Sequence, residues 1–91
     1  MIFITDLPSD PRPYFFTVAK GIGVKWTQLS GKLDRRIDTD VIAEEKTKVY
    51  DRAMAVLNKW YSKEASKATT ARLLQALRDI EKTDVIEDIY K

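Results

Sequence analysis

The residue types that most often perform catalysis are sparse in this chain. Its 91 residues include no histidine and no cysteine. The usual general base, imidazole and thiolate metal ligands, and disulfides are therefore absent, and serine or cysteine triads are excluded in their ordinary forms. We expect neither an enzyme nor a bound cofactor.

One dense group of carboxylates is a candidate cation site. It consists of Asp38, Asp40, Glu44 and Glu45. A calcium loop needs oxygen ligands at alternate positions followed by a glycine, but Ile42 occupies the third alternate position and no glycine follows it. The sequence predicts a solvated helix start here, without a metal ion.

Two other features suggest ligand binding only at first sight. Gly21 and Gly23 form a bare GxG that follows an apolar-striped segment, so we interpret both glycines as a helix stop and not as a phosphate-binding loop. Trp26 and Trp60 could form an aromatic cage, but each falls in an apolar stripe. We therefore interpret both tryptophans as core anchors.

Composition indicates one small, soluble domain with a charged surface. Hydrophobic residues make up 44% of the chain and charged residues 33%. The net charge of +2 is too small to indicate a nucleic-acid or membrane partner by itself. No apolar run approaches the roughly 20 residues that span a bilayer, and the N-terminus lacks a secretory signal. We expect no membrane insertion and a cytoplasmic location.

Residues 1–13 are predicted to form an extended, proline-rich leader, and residues 14–91 the domain itself. The leader contains Pro8, Pro11 and Pro13, which disfavour regular helix and sheet hydrogen bonding. Its apolar residues Ile2, Phe3 and Ile4 need a partner. They either pack on the domain as a short arm or dock on another chain.

Apolar residues at three- and four-residue spacing predict six helices, with no strand alternation and therefore an all-α fold. The stripes are Phe15, Val18, Ala19 and Ile22; Trp26, Leu29 and Leu33; Val41 and Ile42; Val49, Ala53, Val56, Leu57 and Trp60; Leu73, Leu74, Leu77 and Ile80; and Val85, Ile86 and Ile89.

Polar residues mark the boundaries between these helices. Asp38 or Thr39 is a candidate N-cap for the third helix, and Thr69 or Thr70 for the fifth, because their side-chain oxygens can accept free amide protons. Residues 62–68 are predicted to be a polar joint, and the sixth helix begins with Thr83 and Asp84.

Charges of opposite sign occupy neighbouring stretches of the second half of the chain. Residues 59–72 carry four basic side chains against one acidic, and residues 79–91 carry five acidic against two basic. If these stretches lie on different faces, the basic patch of one copy can meet the acidic patch of another. Such contacts between unlike patches are heterologous and generate rings or open helical stacks.

Taken together, these segments resemble the death domain family over about residues 15–90. The resemblance is carried by Trp26 with Leu29 and Leu33, by Ala53 to Leu57 with Trp60, by LLQALRDI at positions 73–80 and by DVIEDI at positions 84–89. It implies a six-helix antiparallel Greek-key bundle, the death fold, without enzymatic activity. Such a module binds other death domains through three pairs of unlike surface patches.

The resemblance also implies a role and a set of contact residues. We expect a cytoplasmic signalling adaptor, or a receptor or scaffold module, that assembles oligomers in apoptosis or innate immunity. The two charged stretches match one patch pair, type II. Arg35 and Arg36 would face a neighbour's Asp51, and acids of the third helix would form a further contact. The predicted partner-binding residues are Arg35, Arg36, Asp40, Glu44, Asp51, Lys59, Lys63, Lys67, Asp79, Glu81, Asp84, Glu87 and Asp88.

The main alternative is a nucleic-acid-binding helical domain, in which Lys59, Lys63 and Lys67 would follow the phosphates. A recognition helix usually carries exposed Arg, Asn or Gln along one edge, and none is obvious here. We therefore expect no nucleic-acid partner and no small-molecule substrate.

Overall fold

A computed structural model of the chain describes residues 7–91, and this part consists of six α-helices joined by short turns. The helices are α1 (Phe15–Ile22), α2 (Trp26–Leu33), α3 (Thr39–Glu45), α4 (Val49–Glu64), α5 (Thr70–Asp79) and α6 (Thr83–Tyr90). No strand occurs among residues 7–91. The all-helical, six-helix prediction is confirmed. The proposed packing of Ile2, Phe3 and Ile4 lies outside the described residues.

The helices enclose one hydrophobic core. α1 packs against α4 and α6, and α2 packs against α4 and α5, so helices distant in sequence are brought together. Trp60 is fully buried and Trp26 is 6% exposed, which confirms both as core residues. The predicted apolar stripes supply most of the core: Phe15, Val18, Ala19, Ile22, Leu29, Leu33, Ile42, Ala53, Val56, Leu57, Leu73, Leu74, Leu77, Ile80, Val85 and Ile89.

Two predicted helix starts are confirmed by their hydrogen bonds. The Asp38 carboxylate accepts from the backbone N–H groups of Asp40 and Val41, at 3.0 and 3.2 Å. The Thr69 hydroxyl accepts from the backbone N–H of Arg72 at 3.2 Å. Both side chains satisfy amide groups that have no partner within the helix, which fixes where α3 and α5 begin.

The described part of the leader lies against the bundle. Thr70, at the start of α5, donates its hydroxyl to the Pro8 carbonyl at 2.6 Å and its backbone N–H to the Ser9 carbonyl at 2.7 Å. Pro11 is buried, and Pro13 lies in a 3-10 turn that leads directly into α1. These contacts attach the segment before α1 to the start of α5.

Three local predictions are wrong. Gly21 does not end α1; it lies inside the helix, and only Gly23, with φ of 60°, forms its end. Val41 is 41% exposed, because neighbouring helical residues point about 100° apart and Ile42 takes the inward position. The polar joint is shorter than predicted, since α4 continues to Glu64 and ends where Ala65 adopts φ of 51°.

No helix among residues 7–91 is long and apolar enough to cross a membrane.

Gly21 and Gly31 provide a matched pair of helical glycines. A Cβ at Gly21 would lie 3.0 Å from Cγ2 of the buried Val85, whereas a Cβ at Gly31 would meet nothing within 4 Å. We expect Gly31→Ala to raise the free energy of unfolding by about 0.5–1 kcal/mol, because alanine favours helix. Gly21→Ala should instead lower it by about 1 kcal/mol, because the stiff valine must move in a packed core.

Urea denaturation of the two variants measures both effects. A stability gain of equal size in Gly21→Ala and Gly31→Ala would show that α1 and α6 do not approach closely at this point.

Candidate protein interaction surfaces

All side chains predicted to bind a partner belong to exposed residues. They are distributed over the α2–α3 turn, α3, the two ends of α4, the turn after α4, the end of α5, the α5–α6 turn and α6. The exposed set is Arg35, Arg36, Asp40, Glu44, Asp51, Lys59, Lys63, Lys67, Asp79, Glu81, Asp84, Glu87 and Asp88. Exposure leaves each of them accessible, and their internal contacts separate them into different groups.

Three lysines define a basic surface at the C-terminal end of α4 and the following 3-10 turn. Lys59, Lys63 and Lys67 are all exposed. Within residues 7–91, none of these ammonium groups forms a salt bridge. Their charges are therefore not cancelled by direct pairing inside the described part of the molecule.

The acidic surface consists of five exposed carboxylates around the α5–α6 turn and along α6: Asp79, Glu81, Asp84, Glu87 and Asp88. Two of them pair locally, Asp84 with Lys82 at 3.3 Å and Asp88 with Lys91 at 3.2 Å. Exposed ion pairs of this kind are weak and contribute only about 0–1 kcal/mol each. Over the described range, no salt bridge joins the acidic surface to the basic surface.

The α2–α3 turn is held by an ion-pair cluster that the sequence pattern does not predict. Arg36 donates from Nε and Nη2 to the two carboxylate oxygens of Asp34, at 2.9 and 3.1 Å, and its backbone N–H donates to the same group. The Asp34 side chain is only 5% exposed. These hydrogen bonds from Arg36 hold the pKa of Asp34 below its ordinary value.

Glu64 extends this cluster to α4 and α5. Its two carboxylate oxygens accept from Arg36 Nη2 at 3.2 Å and from Arg72 Nη1 at 3.1 Å. We name the group of Asp34, Arg36, Glu64 and Arg72 the arginine clamp. Arg36, a predicted contact residue, and Arg72 are therefore engaged within the molecule.

The remaining predicted contact residues lie on other parts of the bundle. Asp40 and Glu44 lie on α3, and Asp51 lies in the first turn of α4. Among residues 7–91, none of these three carboxylates forms a salt bridge, and no group of three or more potential ligands could hold a metal ion. Over the same range, no ion pair connects any of these acids to the arginine clamp or to the acidic surface.

An exposed aromatic pair is another feature that the helical pattern did not single out. Phe16 on α1 is 58% exposed and contacts Tyr50 on α4 edge to face, with ring centroids 6.0 Å apart. The Lys20 ammonium lies 5.6 Å from the Phe16 ring centroid. Aromatic residues of this kind are common at the centre of protein interfaces.

Two comparisons relate the chain to known proteins. The family model described as Death domain matches residues 13–91. The chain is also similar to the human tumor necrosis factor receptor type 1-associated DEATH domain protein, with 28% identity over an alignment of 81 residues that covers 80% of this chain. The aligned region covers 26% of that protein, so the chain spans about a quarter of the length of this relative.

Glu64 and Glu44 provide a matched test of the arginine clamp. We expect Glu64→Gln to lower the free energy of unfolding by about 1 kcal/mol, because two arginines lose their shared, partly buried acceptor. Glu44→Gln removes a carboxylate of the same type that has no salt bridge in the described residues, and it should leave stability unchanged. Urea denaturation at pH 7 compares the variants. Equal stability of Glu64→Gln and wild type would argue against a stabilising clamp.

Asp34 should make stability depend on pH. Its folded-state pKa lies below the unfolded value of about 3.9, so its contribution is complete above that pH and is lost as pH falls through the folded-state pKa. Asp34→Asn should therefore be less stable than wild type at pH 7, and the difference should shrink below about pH 4.

Unfolding in urea at pH 7 and at pH 3 tests this, with the exposed Asp40→Asn as control. A difference between wild type and Asp34→Asn that stays constant over this range would show that the Asp34 charge does not contribute.

Proposed function

Because the chain belongs to the death domain family, we propose that it is a homotypic protein interaction module that binds copies of itself and other death domains. The observation that carries this proposal is the absence of direct pairing between the basic surface and the acidic surface. Both surfaces lie on one small domain, and no salt bridge joins the two within residues 7–91. Each surface is therefore available to its opposite on a neighbour.

The proposed contact is heterologous, with the basic surface of one copy against the acidic surface of the next. Since the two patches differ, each added copy leaves one patch of each kind free, and assembly continues as a ring or helical stack. An exposed ion pair contributes only about 0–1 kcal/mol, so a single contact is weak. Several contacts repeated around an assembly make it strong and cooperative.

Two further patches would complete the assembly. We assign Asp40 and Glu44 on α3 to a third contact, and Asp51 on α4 to the face that carries the exposed aromatic pair. The family predicts three pairs of unlike patches, and these residues are exposed on two helices of the bundle. Their assignment rests on the family pattern.

The cellular role that we propose is that of a signalling adaptor or of a receptor or scaffold module in the cytoplasm. The similar human protein is described as associated with tumor necrosis factor receptor type 1. Assembly of this chain would accordingly serve receptor-proximal signalling in apoptosis or innate immunity. We propose no catalytic role, since the sequence contains neither histidine nor cysteine. Residues 14–91 would form the interaction domain, preceded by the leader.

Charge reversal tests the contact between the basic and acidic surfaces. We expect Lys63→Glu and Asp84→Lys each to weaken self-association by about tenfold or more, because like charges then face each other across the contact. The two reversals in one chain should restore part of the association, since the opposite pairing is regained. Sedimentation velocity against protein concentration measures the effect, and thermal unfolding verifies that each variant is folded.

Salt and nucleic acid serve as further variables in this experiment. Raising ionic strength should weaken wild-type association, because exposed charges are screened beyond about 10 Å at 0.1 M salt. A short DNA duplex should leave the sedimenting mass unchanged. Unaltered self-association in both single reversals, or tight duplex binding by a monomer, would count against the proposed function.

A further inference from the structure

The arginine clamp joins two regions that the family pattern assigns to different contacts. Arg36 in the α2–α3 turn reaches Glu64 at the end of α4, 28 positions further along the chain, at 3.2 Å. The turn therefore lies beside the end of α4 that carries Lys63. The pKa of Asp34 reflects the same closeness: hydrogen bonds from Arg36 lower it most, and the charge of Lys63 adds to the effect.

Within this region, Arg35 differs from the other arginines of the chain. Five of the six form an internal hydrogen bond, ion pair or contact with an aromatic ring: Arg12, Arg36, Arg52, Arg72 and Arg78. Arg35 forms none of these with any residue from 7 to 91, and it is exposed. Arg35 is therefore the one arginine among residues 7–91 whose guanidinium no internal contact holds, which leaves it available to a partner.

The surroundings of Asp51 make it a poor match for this cation. The charged residues that line the cleft beside Asp51 are two acids, Glu45 and Asp51, and two bases, Lys46 and Lys59. These charges balance, so the local field gives an arriving guanidinium little attraction. The acidic surface offers five carboxylates, of which only Asp84 and Asp88 have a lysine partner within the described range.

We propose that Arg35, Lys63 and Lys67 form one continuous docking surface for the acidic surface of a second copy of this chain. Arg36 and Glu64 are positioning residues in this proposal, since they hold the α2–α3 turn against α4 and direct no free charge to the partner. Arg35 therefore acts in the same contact as Lys63, whereas the family pattern would direct it to Asp51. This inference rests on the proposed self-association.

Charge-swap rescue decides between the two partners for Arg35. We expect Arg35→Glu to weaken self-association by about tenfold, as for Lys63→Glu. Adding Asp84→Lys or Glu87→Lys to the same chain should restore at least about threefold of that loss, whereas adding Asp51→Lys should not. Lys48→Glu, an equal charge reversal at an exposed residue of the α3–α4 turn that does not line the cleft beside Asp51, is the matched control and should change association by less than about twofold.

The outcomes separate this inference from the proposed function. Rescue by Asp51→Lys, or by neither acidic-surface substitution, would overturn the shared surface. Self-association that is weakened by Lys63→Glu but not by Arg35→Glu would overturn it as well, while leaving the proposed function intact. A wild-type chain that stays monomeric at all concentrations and low salt would overturn both.

Lysine substitutions distinguish the docking arginine from the positioning one. Both Arg35→Lys and Arg36→Lys keep the charge, but lysine cannot reproduce the two-pronged hydrogen bonding of a guanidinium to a carboxylate. We expect Arg35→Lys to keep association within about threefold and stability unchanged. Arg36→Lys should weaken association by about fivefold and also lower the midpoint of thermal unfolding. The reverse result would assign docking to Arg36 and overturn the proposal.

Discussion

The burial of Trp60 constrains the whole bundle. This side chain lies in the longest helix, α4, is fully buried, and packs against Phe15 of α1 with ring centroids 6.5 Å apart. α4 also contacts α2 and α3, so the packing of its buried face fixes the direction of its exposed face. The indole Nε1 has no hydrogen-bond partner among the described residues, at a cost of about 1–3 kcal/mol that the surrounding apolar contacts must offset. The lysines on the outside of α4 are thus carried by a helix whose inner face is packed in the core.

The arginines and the three lysines of the basic surface serve different purposes in this domain. Most arginines form internal contacts: Arg36 and Arg72 share Glu64, and Arg52 bonds two backbone carbonyls and lies 5.7 Å from the Trp26 ring. A planar guanidinium suits such fixed, multiple contacts, whereas an ammonium group is strongly hydrated and keeps its mobility at a surface. The lysines of the basic surface accordingly remain solvated. This division lets the chain stabilise its turns and still present charge to a partner.

A module of this kind depends on where its charged surfaces lie and on how many contacts an assembly contains. Each contact between exposed charges is weak, so one isolated pair of copies gains little free energy. The fixed geometry of the helices makes successive contacts equivalent, and an assembly then forms cooperatively. In the arrangement that we propose, the arginine clamp adds a structural requirement, because the docking cations lie on two segments far apart in sequence. Correct folding of the α2–α3 turn onto α4 is then a condition for docking.

The sequence by itself determined the helices and the family. Apolar spacing located α4 and α5 and identified Trp26 and Trp60 as core residues, because a helix buries one face at a period near 3.6 residues. The side-chain chemistry of Asp38 and Thr69 identified two helix starts, since capping is local. Only the tertiary structure decided the role of Gly21, which depends on the approach of Val85 from α6. It also decided which charges are free: Arg36 and Glu64 are 28 positions apart, and local pattern carries no information about pairs that meet only after packing.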